Sequence, residues 1–128
     1  MSSTETKAGD RLSLEIPLDP AHILTARLFA GGVARSLELG DENAEVLRLI
    51  LTEICSEAID RRRGGRISID LWADAGSIRA SVLATGVVND ETLADPIEAS
   101  FRRTLIEALA PDATFVDELD RLTVSFTV

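Results

Sequence analysis

The sequence is short of cysteine, of positive charge and of long apolar runs, and each shortage removes a class of function. A single cysteine, Cys55, excludes an internal disulfide, and no Cys-x-x-Cys or Cys/His spacing for zinc is present. Thirteen Lys and Arg stand against 22 Asp and Glu, a net charge of −9. That balance repels phosphate backbones and so argues against nucleic acid, while it draws in a basic protein surface. No segment approaches the roughly 20 apolar residues needed to span a bilayer. The first residues, MSSTETKAGD, are polar rather than signal-like. Together these absences predict a soluble, cytoplasmic protein with neither a nucleic-acid nor a membrane partner.

What is present is ordinary globular composition in 128 residues, enough for one domain over residues 11–128 behind a disordered tail at 1–10. RLSLEIP alternates, placing Leu12, Leu14 and Ile16 on one side of a strand. Asp19-Pro20 supplies an N-cap and a first-turn proline for a helix over about 21–39 that stops at Gly40. Its Gly31-Gly32 pair should cost about 1 kcal/mol per glycine relative to alanine. Either a close approach at a packing or partner surface or a simple kink accounts for it. Asp41 caps a second helix to about Arg62, with Val46, Leu47, Ile50, Leu51, Ile54, Ala58 and Ile59 as its apolar face. GRISIDLWADAGSIRASVLAT reads as a hairpin, with Ile67, Ile69, Leu71 and then Ile78, Ala80, Val82 facing inward. Asp95-Pro96-Ile97-Glu98 is a capping box for a third helix ending at Ala110, and ATFVDE and RLTVSFTV close the chain as strands. The order β-α-α-β-β-α-β-β predicts an α/β two-layer sandwich: a mixed, largely antiparallel sheet with helices on one face.

LTEICSEAID sets Glu53 and Glu57 one helical turn apart, where like charges repel by roughly 0.2–0.5 kcal/mol. A base with a Mg²⁺ ligand would justify the pair. So would a solvated acidic face on which Glu57 pairs with Arg61 at i, i+4; the second is favoured. Asp60 extends the cluster toward a three-carboxylate metal site, a pattern that usually marks a surface. Cys55 reads as core filler and His22 as a surface residue. The run Arg61-Arg62-Arg63-Gly64-Gly65-Arg66 reads as a complement to the carboxyl end of the second helix. Trp72 points outward from its strand, either capping the sheet edge or sitting in an interface.

Three stretches in this order, IPLDPAHILTARLFAGGVARSLEL, LRLILTEICSEAID and TLIEALAPDATF, resemble the anti-sigma-factor serine kinases of the histidine-kinase-like ATPase superfamily. The resemblance covers roughly residues 11 to 128 and implies the histidine-kinase-like ATPase fold. In active members the second helix carries Glu-x-x-x-Asn, the Glu as base and the Asn on Mg²⁺. Here Glu53 falls on the Glu and Glu57 on the Asn. The family's adenine-binding Asp-x-Gly-x-Gly reads ATGVV: Ala84 replaces the Asp, Gly86 matches the first Gly and Val88 replaces the second. Ser100 and Arg102 stand where glycines would cradle phosphates, and the lid, Gly86 to Ala94, is short. These departures imply a kept fold and a lost ATP site: an anti-sigma-factor-like regulator of transcription without a cofactor. It would bind a sigma factor and a STAS anti-anti-sigma protein. Helix one and the lid would meet a basic sigma region, and Gly31, Gly32 or Trp72 would serve a partner or homodimer contact. The alternative is an active serine kinase that uses ATP with Mg²⁺ on a STAS protein, with Glu53 as catalytic base and Glu57 and Gly86 at the nucleotide.

Overall fold

A computed structural model describes residues 10–88 and 96–128. The inward sets anticipated from alternation form the core. Ile67, Ile69 and Leu71 of β3 (Arg66–Asp74), Ile78, Ala80, Val82 and Ala84 of β4 (Ser77–Thr85), and Leu122, Val124 and Phe126 of β7 (Arg121–Thr127) are all buried. With β1 (Leu12–Pro17) and β6 (Thr114–Asp117) they make a five-stranded sheet in the order β1-β3-β4-β7-β6. Every pairing in it is antiparallel. The β3–β4 turn is a two-residue connection in which Ala75 and Gly76 both have positive φ, the conformation that suits the twist of a tight hairpin.

Three helices cover the inner face: α1 (Ile23–Ser36), α2 (Asp41–Arg61) and α3 (Pro96–Leu109). α2 is the spine. Its residues Ala44, Leu47, Ile50, Leu51, Ile54, Cys55 and Ala58 recur every three or four positions and are buried. Burial pushes the Cys55 thiol up to about 12, so it packs as an inert apolar group.

Asp19 caps as expected, its Oδ1 accepting the Ala21 N–H at 2.9 Å. The element it starts is a 3₁₀ turn, Pro20–His22, before α1 proper, and His22 is half-buried rather than at the surface. α1 ends three residues short of the expected Leu39. The Leu39 N–H bonds the Ala34 carbonyl (2.8 Å) and the Glu38 N–H that of Arg35 (3.2 Å), a Schellman closure with Glu38 in the left-handed region. Gly40 is therefore the N-cap of α2, and Asp41 its first helical residue rather than its cap. A side chain at φ 56° is strained, and a carboxylate there opposes the helix dipole. Glu38→Gly should raise stability by about 0.5–1 kcal/mol, part of the strain relief being offset by unfolded-chain entropy. Denaturant melts would show an unchanged or lower midpoint if the closure were not as described.

The described residues also form a second, smaller sheet. A two-stranded ribbon pairs β2 (Arg62–Arg63) with β5 (Val87–Val88) beneath the main sheet's end. The glycines beside it let two backbones cross. A Cβ on Gly65 would lie 1.8 Å from the Thr85 carbonyl oxygen, and one on Gly86, at φ +132°, 2.8 Å from that of Arg63. Residues 1–9 of the tail, the third helix's cap at Asp95 and residues 89–94 of the lid lie outside the described residues.

Candidate functional site

On α2, Glu53, Glu57 and Asp60 fall at i, i+4 and i+7 and so share a face. That face is turned toward α3, and one side chain of α3 fills the space between them. The Arg102 guanidinium stands 3.6 Å from Glu53 (Nε to Oε2) and 3.3 Å from Glu57 (Nη1 to Oε2). It also lies 2.7 Å from Asp60 (Nη1 to Oδ2) and 3.0 Å from Glu98 of its own helix (Nη2 to Oε1). Its side chain is 12 % exposed. Burial works to lower its pKa, but hydrogen bonding and charge from Asp60, with Glu57 and Glu98, outweigh that and raise it. The cation is fixed.

The network continues along the carboxyl end of α2. Arg61 Nη1 lies 3.7 Å from Glu57, the i, i+4 pair expected, and 2.9 Å from Asp117 of β6. Asp117 also takes Arg62 at 2.7 Å. The Arg62 guanidinium is buried, donating to the carbonyls of Gly86 (3.2 Å), Glu118 (2.9 Å) and Leu119 (3.3 Å). Arg61 stands in the last turn of α2, as a complement to the helix end requires, but the run does more than that. Arg61 and Arg62 tie α2 to the β6–β7 turn and to Gly86, and Arg66 pairs with Glu15 of β1 at 2.8 Å.

Beside Glu57 a cavity of about 320 Å³ opens between α2, α3 and β7. Ile54, Ile106, Leu122 and Val124 line it with carbon, and Phe115 closes one side under the Arg103 guanidinium, 4.2 Å above its ring. Ser100 lies on its rim, while Arg102 has turned into the carboxylates. Ala84 is fully buried, paired with Ile67 and Leu122, and offers no acceptor toward this space. Gly86 is engaged within the chain: its N–H donates to Asp120 O (3.2 Å), its carbonyl takes Arg62, and its missing Cβ admits Arg63. Among the described residues no group of three Asp, Glu, His or Cys side chains is placed to hold a metal ion.

The structure therefore unites Glu53, Glu57 and Asp60 and keeps the other candidates apart. Gly31 and Gly32 lie on α1, which continues through them. Trp72 is on the opposite, uncovered sheet face, half-buried under Arg11, whose guanidinium is 4.2 Å from its ring centroid. The residue that sequence reasoning undervalued is Arg102. Its signal was Glu98-x-x-x-Arg102 on a helix that must pack near the Glu53, Glu57 and Asp60 cluster.

No family model matches the sequence, and no curated protein matches it. Among solved structures it is similar to that of the RsbU and RsbW domains of Rv1364c from Mycobacterium tuberculosis. The TM-score is 0.69 at 15 % identity over 92 % of this chain, which spans about a third (32 %) of that one. The two structures share the same fold over nearly all of this chain. No helix among the described residues is long and apolar enough to cross a membrane.

Proposed function

We propose that this chain is a protein-binding regulator of the anti-sigma type. It would act in the cytoplasm on a sigma factor and a STAS anti-anti-sigma protein, with no nucleotide and no kinase step. The sequence resemblance and the shared fold support the class. The observation that carries the loss of the ATP site is Arg102. A kinase of this design needs Glu53 free to act on a hydroxyl and the next turn free for Mg²⁺. Here both carboxylates face one fixed guanidinium, held within 3.6 Å of each. Ala84 brings no partner for an adenine amino group, and a buried site lacking that hydrogen bond loses heavily. The residues present do not fit Mg-ATP.

One observation favours the kinase alternative: the cavity beside Glu57 has an apolar floor and arginines at its mouth. Calorimetric titration with ATP and Mg²⁺ separates the two. The regulator gives no heat up to millimolar nucleotide and an unchanged melting temperature. It also forms complexes with sigma or STAS proteins that nucleotide does not alter. Micromolar ATP binding, or phosphate transfer to a STAS protein, would overturn the proposal. A homodimer belongs to this proposal, and the open sheet face around Trp72 is the surface we give it.

A further inference from the structure

The outer side of α1 combines exposed leucines, paired glycines and arginines. Leu24 and Leu28, one turn apart, are 63 % and 68 % exposed, although the opposite side of the helix buries Ala26, Ala30, Val33 and Ala34. The next turn is Gly31-Gly32, and together these residues form a groove of about 470 Å³ beside α2. Among the described residues, nothing requires those glycines. A Cβ on Gly32 would meet no atom within 4 Å, and one on Gly31 would meet only the flexible tip of Arg48, at 3.1 Å. Glycine costs helix stability, so its use here points to something that approaches from outside.

Charge says what approaches. On a chain of net charge −9, the charged residues lining the groove are, among the described residues, Arg27, Arg35 and Arg48. Arg48 is held by Glu45 at 2.7 Å. Glu45 is kept ionised chiefly by its hydrogen bond to Arg48, with a lesser contribution from Arg27; among the described residues neither Arg27 nor Arg35 makes an ion pair. Every other described arginine has an ion pair, a ring contact or another polar interaction. Among the described arginines, Arg27 and Arg35 alone have no side-chain hydrogen bond, ion pair or ring contact, and they share one groove.

A second copy does not suit this groove. Two α1 helices packed antiparallel about Gly31 would set Arg27 of each against Arg35 of the other, with no carboxylate on either helix. We propose instead that the α1 groove is the docking site for an acidic amphipathic helix of a partner protein. The partner's apolar residues would pack on Leu24 and Leu28, its backbone would approach across Gly31-Gly32, and its carboxylates would pair with Arg27 and Arg35. This deepens the regulator reading. It also reverses the sense of the partner's charge: the overall acidity of the chain suggested a basic partner region, whereas the groove selects an acidic one.

The probe is a pair of designed helical peptides of about 20 residues, with leucine at i, i+4 and i+7 and either glutamate or lysine beside them. Each is titrated into the full chain at low and at physiological salt. The glutamate peptide should bind at least about tenfold more tightly than the lysine peptide, and R27E/R35E should invert that order without lowering the melting temperature. Gly32→Ala should raise the melting temperature yet weaken the glutamate peptide several-fold, which a structural glycine would not do. Equal affinity for both peptides, or indifference to R27E/R35E, overturns the proposal. So does a dimer in sedimentation that Leu28→Glu dissociates. The groove shares no lining residue with the cavity beside Glu57, so Mg-ATP binding would defeat the regulator reading and leave this test intact.

Discussion

Gly65→Ala is expected to cost about 3 kcal/mol or more, a large fraction of the roughly 5–15 kcal/mol that holds a domain of this kind folded. The added Cβ would sit 1.8 Å from the Thr85 carbonyl oxygen and 2.3 Å from its carbon. Both are main-chain atoms in a strand locked between two neighbours, so neither side can give way as a side-chain tip would. The crossing also organises what surrounds it. Leu18 N–H bonds Gly65 O at 3.1 Å, holding the exit of β1, and Gly86 presents its carbonyl to Arg62. Gly86→Ala should destabilise less, since its clash is 2.8 Å, but the φ of +132° adds strain. Gly64→Ala is the control. It has a positive φ but nothing within 4 Å, so it should lose only about 1 kcal/mol. Thermal melts of the three variants give the order directly. If Gly65→Ala melted near Gly64→Ala, the two backbones would not cross as described.

The crossing also explains why Gly86 is a poor witness for a nucleotide. A glycine at the position matching an adenine-binding motif has a sufficient reason to be there in the contact with Arg63 and Gly65 alone. From the sequence, the two roles look identical.

Strand alternation and the α2 stripe were legible because burial on one face imposes a period on local sequence. Ile67, Ile69 and Leu71 needed no knowledge of their partners to be assigned inward. Helix boundaries were less legible because two signals competed at Glu38 and Gly40. Glycine usually ends a helix, but here the Leu39–Ala34 bond ends it two residues earlier on a glutamate. The charged network was the least legible part. Arg102 meets Glu57 and Asp60 from 45 and 42 residues away, and Arg62 meets Asp117 from 55. Such pairings carry no periodicity. A run of arginines reads as solvated surface until the fold shows that the Arg62 side chain is 2 % exposed.

Replacing Arg102 with methionine, which keeps length and apolar volume, should cost about 2 kcal/mol, or roughly 5–10 °C in Tm. Removing one partner of a fully buried ion pair typically costs more. Here the carboxylates run from 17 % exposed at Glu57 to 57 % at Glu98, and solvent screens part of the loss. The loss has a specific signature, because it comes from carboxylates left facing one another. Neutralising one of them, in R102M/E57Q, should recover a substantial fraction, whereas E57Q alone should destabilise by breaking contacts to Arg102 and Arg61. High sodium chloride should also narrow the gap between R102M and the parent, since it screens repulsion among exposed charges. Magnesium chloride at equal ionic strength should do no more than sodium chloride, because no three of these side chains are placed as ligands. A selective rise of the R102M melting temperature with Mg²⁺ would show the opposite: that Arg102 stands in a cation seat the fold can still assemble. The kinase alternative would then regain its metal, though not the acceptor that Ala84 lacks.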